Sequence, residues 1–101
     1  MKFRDLEKVR VIVKDATGLD ISYAYDDLVF PDHTAFIIQF DDTDENNFFC
    51  YFHEDCIAGE RKRIIKKLTE ECSGKGCTIY HKGSFYLKQK GEEVGISFNK
   101  A

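Results

Sequence analysis

Two strongly β-forming segments, residues 34–41 and 47–53, constrain the fold of this chain more than any other feature. Both are rich in β-branched and aromatic residues, and a polar, mostly acidic run separates them. Such a pattern predicts two antiparallel strands joined by a hairpin. With the turn centred on Asp44, the predicted cross-strand pairs are Phe36 with Phe52, Ile38 with Cys50 and Phe40 with Phe48 on one face, and Ala35 with His53, Ile37 with Tyr51 and Gln39 with Phe49 on the other.

The second of these faces is unusual for a hairpin with a core on one side. Side chains alternate along a strand, and a one-sided antiparallel sheet normally carries polar residues on its solvated face. Two interpretations follow: helices pack on both faces of the sheet, or this face binds a partner, such as a second copy of the chain. The predicted partner surface consists of Ile37, Gln39, Phe49, Tyr51 and His53.

The beginning of the chain predicts an amphipathic helix over residues 3–16. Its apolar residues recur at helical spacing, and Gly18 follows where a left-handed C-cap is favoured. A short alternation over residues 9–13 is the competing strand interpretation. The apolar stripe comprises Phe3, Leu6, Val9, Ile12, Val13 and Ala16.

A second helix is predicted over residues 56–73. Asp55 is a favourable N-cap residue, and a glycine-containing run ends the helix. The apolar stripe of this helix comprises Ile57, Ile64, Ile65, Leu68 and Cys72, with Arg61 at its edge.

The segment between the first helix and the hairpin is typical of a strand. Residues 21–25 alternate, and residues 28–30 are predicted to extend the same strand past two aspartates. Pro31 and Asp32 then turn the chain.

The C-terminal part predicts a three-stranded meander over residues 77–81, 84–89 and 94–99. Lys82 and Gly83 form the first predicted turn. Pairing across the second turn puts Phe85 opposite Phe98 and Leu87 opposite Ile96.

These elements define the predicted fold class as α+β, with two helices packed on an antiparallel sheet in the order α-β-β-β-α-β-β-β. The 101 residues fit one domain, residues 1–101. No apolar run approaches the length of about 20 residues that is needed to span a bilayer, and no signal peptide is visible. We therefore expect a cytoplasmic protein with reduced thiols and no membrane partner.

A basic run on the second helix suggests nucleic acid as an alternative partner. Tyr80 and Tyr86 on neighbouring strands would offer stacking surfaces. Against this, the formal net charge is −3, and Glu70 and Glu71 are spaced to pair with two of the lysines. The predicted basic surface consists of Arg61, Lys62, Arg63, Lys66 and Lys67.

Cys50, His53 and Cys56 suggest a zinc or reactive-thiol site as a second alternative. Their spacing fits metal ligands, and Cys56 near a helix start would have a lowered thiol pKa. Against this, Cys50 and His53 fall on opposite faces of the predicted strand, and no third group that would orient the histidine is evident in the sequence. We assign no catalytic or metal-binding residue and no cofactor.

The sequence thus favours a small, non-enzymatic protein-binding module. Its expected partner is another protein or a second copy of the chain, which would form a homodimer through the apolar sheet face.

Overall fold

A computed structural model describes residues 5–25, 27–91 and 93–100, with side chains at all of these positions except 34, 88–90, 93, 94, 99 and 100. Two helices and a six-stranded sheet confirm the α+β class. Four strands precede the second helix and two follow it, whereas three were predicted on each side. The elements are α1 (Leu6–Thr17), β1 (Ile21–Tyr25), β2 (Leu28–Pro31), a 3-10 turn (Asp32–Thr34), β3 (Phe36–Phe40), β4 (Asn47–His53), α2 (Ala58–Gly74), β5 (Thr78–Lys90) and β6 (Glu93–Lys100).

Side-chain and backbone caps define both ends of α1. Asp5 Oδ1 accepts a hydrogen bond from the Lys8 backbone N–H at 3.0 Å. Gly18 has a φ of 79° and donates its N–H to a carbonyl of the preceding turn, a left-handed cap that glycine adopts without strain. The helix and its cap are therefore confirmed. Leu6 is 43% exposed and does not share the buried stripe, and Phe3 lies outside the described residues.

The chain reverses between β1 and β2, where one continuous strand was predicted. The two strands pair antiparallel, with Tyr23 opposite Phe30 and Tyr25 opposite Leu28. Asp27 lies in the turn between them. The prediction is wrong because adjacent aspartates favour a turn over a strand interior.

The central hairpin has the predicted register. Its five cross-strand pairs run from Phe36 opposite Phe52 to Phe40 opposite Phe48. The backbone N–H of His53 also donates to the carbonyl of Ala35 at 2.9 Å, which extends the ladder by one pair. Because the register is confirmed, the assignment of side chains to the two faces of β3 and β4 is also confirmed.

The start of α2 differs from the prediction. The helix begins at Ala58, and its N-cap is Ile57, which makes no side-chain capping bond. Asp55 is not the cap, because its backbone N–H donates to His53 Nδ1 at 3.0 Å within the preceding loop. Ile57 precedes the helix and is 69% exposed. The predicted stripe members that are buried are Ile64, Leu68 and Cys72.

One long strand, β5, replaces the predicted pair of short strands. It pairs parallel with β4, so the sheet is mixed rather than purely antiparallel. Lys82 and Gly83 do not form a turn; a register shift between His81 and Gly83 lets the strand continue. The physical reason is that α2 crosses the sheet and returns the chain in the direction of β4. The second predicted hairpin is confirmed, with Phe85 opposite Phe98.

Both helices pack on the same face of the sheet, whose strands are ordered β1-β2-β3-β4-β5-β6. The interpretation that helices cover both faces is therefore wrong for the described chain. The main core combines Val9, Ile12, Val13 and Ala16 of α1, Ile64, Leu68 and Cys72 of α2, and Phe36, Ile38, Phe48, Cys50 and Phe52 of the sheet.

Candidate binding surface

The face of the sheet opposite the helices carries a second set of apolar side chains, which we call the open face. A small buried cluster of Ile37, Tyr51 and Phe85 lies at its centre. Cross-strand pairing places side chains from all six strands around this cluster. The described members of the open face are Tyr23, Tyr25, Leu28, Phe30, Ile37, Gln39, Phe49, Tyr51, His53, Tyr80, Phe85, Leu87, Ile96 and Phe98.

Most of the large apolar side chains that the described chain exposes lie on this open face. Soluble monomers rarely expose contiguous apolar patches of more than a few hundred Å². The exposed members are Tyr23 at 57%, Tyr25 at 65%, Tyr80 at 50%, Leu87 at 44% and Phe98 at 39%, whereas exposed Leu6 and Ile57 lie on other elements.

The five residues predicted as the partner surface all lie on the open face. Ile37 and Tyr51 are buried in its centre, and Gln39, Phe49 and His53 are partly buried. The long β5–β6 hairpin flanks them, because the central hairpin pairs with β5. The accessible residues contributed by β1, β5 and β6 were missed. The Phe85–Phe98 and Leu87–Ile96 pairs were predicted, but the sequence does not show that they lie on the same face of the sheet as Tyr51.

Aromatic rings hold the centre of the open face together. The ring centroids of Tyr51 and Phe98 are 4.5 Å apart, and those of His53 and Phe85 are 5.2 Å apart in an edge-on arrangement. Phe49 and Tyr80 are separated by 6.3 Å. Aromatic pairs at these separations add stability beyond their burial, so the side chains at the centre of the open face are packed against one another.

The polar groups of Tyr51, Gln39 and Lys82 have partners in the structure. Tyr51 donates its hydroxyl to Gln39 Oε1 at 3.2 Å, and Gln39 Nε2 donates to Asp27 Oδ2 at 2.9 Å. Burial, together with the charge of Asp27, raises the pKa of Tyr51. Lys82 Nζ lies 4.0 Å from the centroid of the Phe49 ring. These partners reduce the cost of covering the face, because few polar groups would be left unsatisfied.

A groove of about 390 Å³ lies where the ends of β3 and β4 meet α2. It brings His53 and Cys56 together with His33, which has a left-handed φ of 68°. The other lining residues are Ala35, Asp55, Ile57, Glu60 and Ile64. Sequence analysis missed His33 and Glu60, because neither falls in a spacing motif with Cys56.

Of the three residues of the zinc or thiol hypothesis, His53 and Cys56 line one groove and Cys50 does not. Cys50 is buried in the helix-side core, whereas His53 packs on Phe85 in the open face. Burial raises the pKa of the Cys50 thiol far above its usual range, which makes it inert as a nucleophile. Within residues 5–25, 27–91 and 93–100, no group of three His, Cys, Asp or Glu side chains is arranged to hold a metal ion.

The five residues of the predicted basic surface differ in their partners: the two arginines are held by other groups of the protein, and the three lysines are exposed. Arg61 donates to the carbonyls of Cys56, His53 and Glu54 at 2.6, 3.2 and 3.1 Å. Arg63 pairs with Glu60. Lys62, Lys66 and Lys67 are exposed on α2.

The position of one predicted stacking residue weakens the nucleic-acid hypothesis, whereas an expected ion pair differs in the other direction. Glu71, whose i, i+4 spacing predicts a pair with Lys67, lies 3.7 Å from Lys75 Nζ instead and so removes one objection to a basic surface. Tyr80 is on the open face, on the other side of the sheet from α2. Tyr80 and the basic helix therefore do not share one surface, whereas Tyr86 alternates with Phe85 and Leu87 and lies on the helix side of the sheet.

Comparison of the chain with protein-family models, with curated proteins and with solved structures found no match. In the part of the chain that the structure describes, neither helix is long and apolar enough to span a membrane.

Proposed function

We propose that the protein is a non-enzymatic protein-binding module that pairs with a second copy of itself through the open face. The observation that supports this most strongly is the grouping of Tyr23, Tyr25, Tyr80, Leu87 and Phe98, all exposed, on one face of the sheet. Tyrosine and phenylalanine are enriched at protein interfaces, and charged residues are depleted at their centres. A cytoplasmic location stays a prediction.

The dimensions of the molecule leave room for an interface of standard size. The molecule measures 41 × 35 × 25 Å, and a standard interface buries about 800 Å² on each partner. Two sheets that pack face to face lie about 10 Å apart and interdigitate their side chains. The exposed aromatic residues of the open face would fill the space between the two sheets.

Charge distribution supports a second copy as the occupant. Residues 15–60, which include β1–β4, contain 12 acidic residues and neither lysine nor arginine, whereas residues 75–101 contain five lysines and two glutamates. A two-fold axis that lies between the two open faces and runs parallel to the strands would set the acidic half of one copy against the basic half of the other. Such isologous pairing is self-complementary in both shape and charge.

The test is the molar mass of two charge variants in light scattering coupled to size exclusion. Tyr80→Glu places a charge on the open face at a half-exposed position, and we expect a folded monomer because an unpaired charge in a dry interface is costly. Thr69→Glu adds the same charge to the exposed side of α2 and should leave the dimer intact.

A second open-face variant guards against misfolding of the first. Tyr25 is 65% exposed, so Tyr25→Glu should fold and should also shift the mass towards that of the monomer. Dimers that persist in both open-face variants, or a wild-type monomer, would contradict the proposal.

A further inference from the structure

The edge strand β1 lacks two of the features that usually protect an open sheet edge, although it has a register shift at its start. It has β2 as its strand neighbour in the described chain, and its pairing is regular over Tyr23–Tyr25 after a register shift at its start. An edge strand presents a row of backbone N–H and C=O groups, which charged residues and proline normally protect. The sequence of β1 contains neither, and its last four residues are exposed.

The surroundings of this edge are acidic. Residues 20–32, which contain β1 and β2, include four aspartates and neither lysine nor arginine. Lys14 Nζ lies 3.2 Å from Asp20 and offsets one of these charges. Asp27, at the other end of β1, is held by Gln39 through a hydrogen bond of 2.9 Å.

The acidic surroundings select among the possible occupants of the edge. A second copy of β1 paired there would bring two acidic segments side by side, and the like charges would repel. A nucleic acid would meet the same repulsion from its phosphates. A peptide segment with cationic ends would be attracted instead.

We propose that β1 accepts an additional β-strand from a partner protein, and that this strand is an extended segment flanked by lysine or arginine. Main-chain hydrogen bonds would provide the affinity. Alternate side chains of the added strand would lie beside Tyr23 and Tyr25 on the open face, where β-branched residues form favourable cross-strand pairs with aromatic ones. The proposal rests on the proposed function only in that the molecule binds proteins.

The probe is a fluorescein-labelled nine-residue peptide with alternating threonine and valine in its centre and two lysines at each end. We expect saturable binding to the full chain, seen as a rise in fluorescence anisotropy, that weakens as salt screens the charges. A peptide with the same centre and glutamates at its ends should bind at least about tenfold more weakly, because the acidic surroundings of β1 would repel its ends instead of attracting them. A proline at the central position removes one backbone donor and should also weaken binding.

A pair of protein variants locates the binding. Ala24 is exposed in the middle of β1, and Ala24→Lys should lower the affinity for the lysine-ended peptide at least about fivefold, because it adds a like charge to the edge. Thr69→Lys adds the same charge on exposed α2 and should leave the affinity unchanged. Slower hydrogen exchange of the Ala24 amide group or its β1 neighbours on peptide binding would support strand addition.

The outcomes separate this inference from the proposed dimer. Equal affinity for the lysine-ended and glutamate-ended peptides, no binding, or no effect of Ala24→Lys would overturn the strand-addition inference, whatever the molar mass of the chain. If the chain binds the lysine-ended peptide more tightly than the glutamate-ended one but stays monomeric, the dimer proposal is overturned and the strand-addition inference stands.

Discussion

Tyr51 and Phe98 lie with their ring centroids 4.5 Å apart, although β5 separates the strands that carry them. The residue of β5 that pairs with Tyr51 is Gly83, which is buried and has no side chain. Phe98 pairs with Phe85, two residues further along β5, so the contact between its ring and that of Tyr51 crosses β5 next to a position without a side chain. This contact joins the central hairpin to the β5–β6 hairpin and completes the centre of the open face.

Replacement of Gly83 by valine should break this contact. The branched side chain would occupy the space between the two rings, and overpacking of this kind costs about 1–3 kcal/mol of the free energy of unfolding. Urea denaturation measures the loss. Gly59→Ala is the control, because nothing lies within 4 Å of a Cβ there and the change raises helix propensity by up to about 1 kcal/mol. A Gly83→Val variant as stable as the native chain would contradict the proposed packing.

Arg61 and Arg63 should differ sharply in their contribution to stability. Arg61 donates to three backbone carbonyls of the loop between β4 and α2, and hydrogen bonds to a charged group contribute about 1.5–3 kcal/mol. Arg61→Ala should therefore lower the free energy of unfolding by an amount in that range. Arg63→Ala removes an exposed pair with Glu60 and should change stability far less than Arg61→Ala, because solvent screens exposed ion pairs. Equal effects of the two substitutions would show that Arg61 does not hold the loop.

The four cysteines should divide into one reactive and three protected thiols. Cys50, Cys72 and Cys77 are buried, whereas Cys56 is partly exposed beside the groove. A thiol-specific reagent at neutral pH should label one thiol per native chain rapidly and the other three only after unfolding. Cys56→Ser should abolish the rapid phase, and a rapid phase that persists in this variant would contradict the assignment.

Stability should fall in alkaline solution. Burial and the neighbouring Cys77 thiol raise the pKa of Cys72 to about 12, whereas an unfolded thiol ionises near pH ~8.5. Between these values the unfolded state binds fewer protons, so the contribution of Cys72 is complete below about pH 8.5 and is lost as pH rises towards about 12.

Urea midpoints measured in reductant at mildly and strongly alkaline pH test this sign. At pH ~10 the free energy of unfolding should be lower by about 2 kcal/mol for each thiol that stays protonated in the folded state. Cys72→Ala should be less stable overall but should lose less stability with rising pH. A fall as steep as that of the native chain would contradict the assignment of the effect to Cys72.

Local signals predicted the central hairpin and α1 because their determinants lie within the segments themselves. The register of β3 and β4 follows from alternation around one acidic turn, and Gly18 marks the end of α1. The continuous β5 was not predictable in this way. Lys82 and Gly83 favour a turn locally, but the parallel pairing with β4, set by the crossover of α2, keeps the strand extended.

The candidate surface was predicted only in part for a similar reason. Residues such as Tyr51 were correctly assigned to the face of the hairpin opposite Phe36 and Phe52, but the neighbours of that face depend on the order of all six strands. Sequence alternation shows which side chains share a face of one strand, and it carries no information on which distant strand lies beside it. The exposed residues Tyr80 and Phe98 could be placed on the open face only from the sheet topology.

Sedimentation equilibrium of the wild-type chain over a wide concentration range tests the central claim most directly. We expect a mass that rises from 11.7 kDa towards twice that value, because the exposed aromatic residues of the open face are buried between two copies. A mass that stays at 11.7 kDa at every concentration would contradict self-association through this face.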